Sequence, residues 1–262
     1  MSQQDTFDAA VLRTDAPHSA RVWNYWIGGK DYYEVDRRLG DDVIAVYPQA
    51  QELARASRGF QTRAVRHLAA EAGIGQFLDI GTGLPVAGST HEVAQASNPT
   101  ARIAYVDNDP LVLAHARALL TSTPQGRTQY IAQNFMDTEQ VLREARETLD
   151  LSQPVAVMVL STLGHVEPAA GVDLLRRYMA PLVSGSYLVL CDTISTPATV
   201  AAQEAYAAGD TPAYWVRHRD EITASAEGME MVEPGFGPVS LWWPEASGAT
   251  AVDQWGFVAR KP

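Results

Sequence analysis

Cysteine is almost missing from this sequence, since Cys191 is the only one among 262 residues. A single thiol excludes a disulfide within the chain and a metal site built from several thiolates. The six histidines show none of the paired spacings typical of zinc motifs. We therefore expect no metal centre. Low cysteine usage also favours a reducing compartment, which predicts a cytoplasmic protein.

Long apolar runs and positive charge are also scarce. No stretch approaches the roughly 18 apolar residues of a membrane span, and the polar N-terminus does not resemble a secretory signal. Acidic residues outnumber basic ones 31 to 20, which gives a net charge of −11. This balance disfavours nucleic acid and anionic membranes as partners. It leaves neutral or cationic small molecules as the expected ligands, and it says nothing about the oligomeric state.

The hydrophobic pattern alternates between short apolar runs and helical stretches, which predicts a parallel sheet with helical crossovers, an α/β Rossmann-like fold. Two apolar runs near the C-terminus have no helix between them and predict an antiparallel hairpin at the sheet edge, for seven strands in all. Residues 16–72 show helical periodicity instead. We expect an N-terminal helical lid segment over 1–72 and a Rossmann-like domain over 73–262. The predicted strands cover 76–81, 101–107, 128–133, 154–161, 186–192, 238–243 and 254–260.

A glycine-containing loop, Asp79-Ile-Gly-Thr-Gly83, follows the first strand. A dinucleotide fingerprint would need a third glycine at position 86, where the sequence has Val86. S-adenosylmethionine has no pyrophosphate, so the shorter loop suffices for it. We expect Gly81 and Gly83 to line the amino-acid part of this cofactor, and Asp79 to orient the loop or the cofactor's amino group. An ordinary strand-to-helix turn is the alternative.

Polar residues follow the next two strands. Asp107 ends the second strand and can accept hydrogen bonds from both hydroxyls of a ribose. Asn134 follows the third strand, where its amide can pair with an adenine edge while Phe135 packs on the ring. These positions predict nucleoside binding, although they do not by themselves separate S-adenosylmethionine from a nicotinamide cofactor.

The segment after the fourth strand contains Ser161, Thr162 and His165. Ligands of open α/β sheets bind at the carboxyl ends of the strands, so this segment should face the reacting group. We expect Ser161 at the cofactor, and Thr162 and His165 to orient the substrate or remove a proton. A structural histidine is the alternative.

An aromatic stretch covers residues 23–33 and contains the pair Gly28-Gly29. It could form a lid that stacks on the cofactor or on an aromatic substrate. In that interpretation Tyr25 and Gly29 contact the cofactor and Tyr32 faces the substrate. Ordinary helix packing explains the same residues equally well.

Several motifs together resemble a family of S-adenosylmethionine-dependent methyltransferases, common in actinobacteria and formerly catalogued as a domain of unknown function. The resemblance implies a class I fold and cofactor binding at Gly81, Gly83, Asp107 and Asn108. Its relatives resemble tailoring enzymes of specialised metabolism, some acting on indole-type rings. The sequence departs from the family at Asn134-Phe135 and at Gly164. The motifs are RVWNYWIGGKD (21–31), QFLDIGTGLP (76–85), THEVAQ (90–95), YVDNDPLVLAHARALL (105–120) and GSYLVL (185–190).

The sequence thus predicts a methyltransferase that acts on a small molecule, with a flat aromatic acceptor as the first expectation. Two alternatives stay open at this point. A nicotinamide-dependent oxidoreductase would use the same loop and Asp107, and a non-catalytic sensor would bind S-adenosylmethionine without a space for an acceptor.

Overall fold

The computed structural model describes residues 14–119, 122–209, 211–244 and 247–262. A central sheet organises this part of the chain. Five strands run parallel and three short or terminal strands complete the sheet at one edge. The parallel strands are β1 (Gln76–Ile80), β2 (Arg102–Asp107), β3 (Arg127–Ala132), β4 (Ala156–Leu160) and β5 (Tyr187–Thr193), and the others are β6 (Glu230–Met231), β7 (Gly237–Pro238) and β8 (Gln254–Arg260).

The strand order is β3-β2-β1-β4-β5-β8-β6, and β7 also pairs with β8. The strand β8 runs antiparallel to β5, with Tyr187 opposite Arg260. The predicted Rossmann-like sheet with antiparallel C-terminal strands is therefore confirmed, although the sheet has eight strands in the described residues and not the predicted seven. The order reverses between β1 and β4, which creates a crevice at the carboxyl ends of these two strands.

Helices cover the sheet and extend beyond it at the N-terminus. Three of them precede the first strand, and the others follow the strands as crossovers or close the C-terminal part. They are α1 (Ser19–Trp26), α2 (Glu34–Val46), α3 (Ala50–Ala70), α4 (Thr90–Ser97), α5 (Pro110–Leu119), α6 (Thr138–Ala145), α7 (Pro168–Met179), α8 (Pro197–Ala207) and α9 (Arg219–Thr223). None of the helices in the described ranges is long and apolar enough to cross a membrane.

The predicted strand over 238–243 was wrong. Residues Val239–Leu241 form a short 3₁₀ helix instead, which packs beside α3. Arg63 of α3 donates hydrogen bonds to the carbonyl oxygens of Trp242 and Val239, both at 2.7 Å. The Trp242 ring is buried edge-on against Phe60. These contacts with a distant helix outweigh the local strand preference of the aromatic and β-branched residues.

The N-terminal helices form their own apolar cluster, to which α8 contributes Tyr206. The long helix α3 contributes both to this N-terminal cluster and to the core beside the sheet. Leu53 packs in the N-terminal cluster, whereas Phe60 and Leu68 pack against the sheet. Helix α8 was not predicted from the sequence. The first thirteen residues of the predicted lid segment lie outside the described residues, and the division at residue 72 stays a prediction.

Candidate active site

The loop after β1 turns tightly beside the carboxyl end of β4. Gly81 and Gly83 have φ angles of 70° and 64°, in the left-handed region that favours glycine. The N–H of Gly81 donates to the carbonyl oxygen of Val106 at 2.8 Å, which ties the loop to β2. A Cβ at Gly81 would lie only 2.2 Å from Oγ1 of Thr162. The loop backbone is thereby fixed along one side of a cavity.

Asp107 stands at the end of β2 and organises the turn below it. Its Oδ2 accepts a hydrogen bond from the N–H of Gly83 at 3.0 Å, and its Oδ1 accepts one from the N–H of Asp109 at 2.9 Å. Burial raises the pKa of this carboxyl despite these two bonds. An ionised carboxylate has about four lone-pair sites, so two stay open for ligand hydroxyls.

Asp79 is buried at the end of β1. Its Oδ2 accepts a hydrogen bond from the Thr90 hydroxyl at 2.6 Å. Burial raises the pKa of Asp79 to about 6, against the opposing effects of Thr90 and the nearby Arg58. A carboxylate in this setting gains most from a cation that replaces the lost water.

Arg58 of α3 also lines the cavity, and the sequence reading missed it. Its guanidinium donates a hydrogen bond to Oε1 of Gln61, and burial lowers its pKa. The signal was available, since the polar residues Ser57 and Gln61 interrupt the buried face of a helix that is otherwise apolar there, and Arg58 adjoins them. The cavity thus has a buried carboxylate and a half-buried guanidinium at one end.

Ser161 follows β4 with a φ of 58°, which is rare for a residue other than glycine. Three contacts hold it there. Its N–H donates to the carbonyl oxygen of Cys191 at 2.8 Å, its hydroxyl lies 3.2 Å from that of Ser57, and Nε2 of Gln254 donates to it at 2.8 Å. Such conformations persist only where the surroundings enforce them, and they cluster at functional sites.

The predicted catalytic residues Thr162 and His165 both line the cavity, but their hydrogen bonds differ. The Thr162 hydroxyl lies 3.1 Å from the carbonyl oxygen of Ile80 and 3.2 Å from that of Leu160. Since a hydroxyl has one proton and these acceptors are backbone, Thr162 is suited to holding the two loops together rather than to proton transfer.

His165 is held in a form that can accept a proton. Its Nδ1 lies 2.9 Å from the carbonyl oxygen of Ala213. A carbonyl only accepts, so the proton resides on Nδ1 and the lone pair stays on Nε2. Burial lowers the pKa of the ring, which keeps the imidazole neutral near pH 7.

Asn134 and Phe135, which follow β3, and Asn108, which follows β2, line another part of the cavity. Oδ1 of Asn134 accepts a hydrogen bond from the N–H of Met136 at 2.9 Å, which leaves the amide NH2 group for a ligand. The carbonyl oxygen of Phe135 accepts a bond from the Tyr178 hydroxyl at 2.6 Å, which fixes the position of this residue.

The aromatic stretch contributes to the cavity, but not through the residues we expected. Tyr25, Gly29 and Tyr32 are not among the lining residues. The Tyr25 hydroxyl donates to Asp41 of α2 at 2.5 Å, and the Tyr25 and Tyr32 rings meet edge-on with centroids 5.1 Å apart. Trp23, on the opposite side of α1, lines the cavity instead. Helical geometry decides this, because residues two apart face different directions.

The assembled cavity has a volume of about 330 Å³. Pockets for small molecules and cofactors have volumes of about 300–1,000 Å³, so this cavity is at the small end of the range. His18 at the start of α1 closes its rim, with Nδ1 2.9 Å from Oδ2 of Asp109. No group of three or more metal-binding side chains occurs in the described part of the chain. The predicted residues that line the cavity are Asp79, Gly81, Gly83, Asp107, Asn108, Asn134, Phe135, Ser161, Thr162 and His165.

Comparison with known families identifies the chain. A family model described as S-adenosyl methyltransferase matches residues 5–262. The chain belongs to this methyltransferase family. The enzyme class, the fold and the cofactor S-adenosylmethionine that we predicted are therefore confirmed, and the nicotinamide-dependent alternative is set aside.

Solved structures agree with the family. The methyltransferase is 41% identical to a DUF574 family protein from Streptomyces avermitilis, with a TM-score of 0.92 over 96% of this chain and 100% of that one. It is 35% identical to a candidate methyltransferase from Thermobifida fusca, with a TM-score of 0.89 over 97% of both chains. The fold is also shared by magnesium protoporphyrin IX methyltransferase from Synechocystis, solved with bound S-adenosylmethionine. That protein is 11% identical, with a TM-score of 0.53 over 92% of this chain and 90% of that one. No curated protein matches the sequence.

Proposed function

We propose that the 330 Å³ cavity binds S-adenosylmethionine and that the methyltransferase acts on a small, uncharged, electron-rich aromatic molecule of indole type. The observation that carries the cofactor assignment is the charge pattern of the cavity. A buried carboxylate and a half-buried guanidinium lie at one end, and a second carboxylate lies at the end of β2.

This pattern matches the two ends of the cofactor. The amino-acid end carries an ammonium and a carboxylate, for which Asp79 and Arg58 are the opposite charges. Asp107 accepts hydrogen bonds from the ribose hydroxyls with its remaining lone pairs. Asn134 pairs with the adenine edge, Phe135 packs on the ring, and Asn108 closes the same end.

The bound cofactor supplies an electrophilic methyl group attached to a positively charged sulfur. The chain contributes position and proton transfer. Ser161 and Thr162 fix the end of β4 against the glycine loop, so the wall beside the acceptor is rigid. His165 holds its proton on Nδ1 and can accept a proton at Nε2 from the acceptor. Helix α1 covers the cavity and keeps water from the acceptor.

The acceptor class rests on charge and on aromatic side chains. A net charge of −11 repels polyanions, and the aromatic residue Trp23 lines the same cavity as His165. A small molecule of specialised metabolism, modified in the cytoplasm, fits these features.

The test is to incubate the protein with methyl-labelled S-adenosylmethionine and a panel of indoles, phenols, amines and carboxylates. We expect label on indoles or phenols. The variant His165→Ala should lower turnover by about 10²–10⁴-fold while cofactor affinity stays unchanged, because the lost group only moves a proton. Label appearing only on aliphatic amines or carboxylates would refute the aromatic acceptor and leave the methyltransferase assignment intact.

A further inference from the structure

A second, smaller cavity lies behind Trp23. Its volume is about 60 Å³, and its wall is almost entirely apolar. Helices α1, α2, α3 and α8 enclose it above the end of β5. We call it the apolar chamber. Its main lining residues are Trp23, Leu53, Thr193, Ala202, Tyr206 and Tyr214.

Two side chains connect the chamber to the cofactor cavity. Trp23 lines both spaces and therefore forms the partition between them. Tyr214 lines the chamber, and its ring meets the ring of His165 edge-on, with centroids 5.2 Å apart. The chamber thus begins directly beside the predicted proton acceptor.

A chain of hydrogen bonds makes a third connection. The Thr193 hydroxyl donates to Oε1 of Gln254 at 3.0 Å, and Nε2 of Gln254 donates to the Ser161 hydroxyl at 2.8 Å. The chamber wall and the strained residue at the end of β4 are thereby held in one rigid arrangement.

We propose that the apolar chamber is the acceptor subsite, which receives the edge of an uncharged aromatic ring when Trp23 swings aside. The proposal rests on the proposed function and specifies where its acceptor binds. The cofactor cavity has little room to spare, because its volume is at the small end of pockets that hold one ligand of this size. The acceptor therefore needs adjoining space.

The polar groups of the chamber explain why the ring should be uncharged. The Tyr214 hydroxyl donates to Asp192 at 2.6 Å, and the Tyr47 hydroxyl lies 3.1 Å from Oδ2 of Asp253. These two hydroxyls already have partners, whereas the buried Tyr206 hydroxyl has none among the described residues. The chamber wall therefore offers one neutral hydroxyl and no charged side chain, so a charged ligand group would lose its water without adequate compensation. Aromatic edges and faces, in contrast, match the walls that Trp23 and Tyr214 provide.

The size of the chamber explains why Trp23 must move. An apolar cavity of about 150 Å³ holds a benzene ring, so 60 Å³ admits only an edge. Within the described part of the chain the Trp23 ring nitrogen has no hydrogen bond, whereas that of Trp26 donates to the carbonyl oxygen of Gly40 at 3.3 Å. The Trp23 side chain is thus held by packing alone, so it is the part of the chamber wall that can rotate to enlarge the space.

The experiment measures indole binding to the protein saturated with S-adenosylhomocysteine, by calorimetry. Ala202→Leu fills the chamber from α8, and Ala207→Leu places the same side chain on the exposed face of that helix as a matched control. We expect saturable indole binding that Ala202→Leu weakens at least tenfold and Ala207→Leu leaves unchanged. Both variants should keep the wild-type affinity for S-adenosylhomocysteine.

A second measurement on the wild-type protein tests the proposal even if Ala202→Leu does not fold correctly. Crystals of the wild-type complex soaked in indole should show the ring across the Trp23 partition, with Trp23 in a new rotamer. Equal indole affinity in Ala202→Leu, ring density elsewhere, or no saturable binding up to the solubility limit would each overturn the chamber. Failure of S-adenosylhomocysteine itself to bind would instead overturn the cofactor assignment.

Discussion

The side chain of Thr162 occupies the space where Gly81 lacks one. A Cβ at Gly81 would approach Oγ1 of Thr162 to 2.2 Å and its Cγ2 to 2.4 Å. The carboxyl ends of β1 and β4 therefore approach each other as closely as they do only because position 81 has no side chain.

Replacement of Gly81 by alanine should damage the site more than replacement of Gly83. Both residues have a positive φ, which costs an L-residue about 1–2 kcal/mol, but only Gly81 has a crowded neighbour. We expect Gly83→Ala to lower stability by about this amount and Gly81→Ala by more, with a larger loss of cofactor affinity. Thermal unfolding and calorimetry measure both quantities. Equal effects would show that backbone strain alone matters.

Arg58→Ala should weaken binding of S-adenosylhomocysteine at least tenfold, because the variant removes the cation that we assign to the ligand carboxylate. Methylthioadenosine is the matched control ligand, since it keeps the adenine and ribose and lacks the amino-acid end. Its affinity should not change. A parallel loss for both ligands would place Arg58 at the nucleoside or show a collapsed pocket.

Cofactor affinity should fall as the pH drops through about 6. Burial raises the pKa of Asp79 to about 6, and a bound ammonium favours the ionised form, so the attraction is complete above this pH and disappears below it. Calorimetry of S-adenosylhomocysteine between pH 5 and 8 should show this loss within about one pH unit on either side of the midpoint.

Two controls isolate Asp79 in that measurement. Methylthioadenosine lacks the ammonium, so its affinity should decline less. Any decline that it does show reports protonation of Asp107, whose pKa is also raised by burial. Asp79→Asn should bind S-adenosylhomocysteine weakly at every pH. A decline that persists in this variant would point to a different titrating group.

Asp107→Ala should weaken cofactor binding by about 1.5–3 kcal/mol, the usual range for hydrogen bonds to a charged group. Asp107 also bonds the N–H groups of Gly83 and Asp109, so Asp107→Asn is the informative companion. It keeps one acceptor oxygen and should lose less. Unchanged affinity for the alanine variant would remove Asp107 from the ribose site.

The sheet was predictable from sequence because its signals are local. The strand ending at Asp107 shows a continuous apolar run followed by an acid and a proline-capped helix. The segment 238–243 was not predictable, since Arg63 captures its carbonyl oxygens from 176 residues or more away. Local pattern cannot reveal a contact of that kind.

The cavity was predictable at the strand ends and not in the helices above them. Asp79 and Asp107 lie at the carboxyl ends of their strands and Asn134 lies just after one, and the fold brings strand ends together. Trp23 and Arg58 come from helices whose rotation depends on packing. We predicted Tyr25 as a cavity residue from the sequence, whereas the structure places Trp23 there. The aromatic stretch contains several rings, and nothing in its sequence marks which side of the helix faces the cavity.

Amide hydrogen exchange in residues 20–35 should slow when S-adenosylhomocysteine binds. Helix α1 contributes Trp23 and Asn24 to the cavity wall, so a ligand beneath it should suppress its local opening. The strand β5 lies beneath the cover and serves as the internal control, with unchanged exchange. Identical exchange of 20–35 with and without ligand would make α1 a fixed wall.

His18 contacts Asp109 across the rim, and Asp109 in turn accepts a hydrogen bond from the N–H of Leu111 at the start of α5. The covering helix is therefore attached to the sheet domain at the rim of the cavity. The rate at which spent cofactor is exchanged for fresh cofactor then depends on how often the contact between His18 and Asp109 breaks. Substitutions at the His18–Asp109 contact should accordingly change the turnover number, whereas substitutions at the cofactor-binding residues of the cavity should change the cofactor affinity.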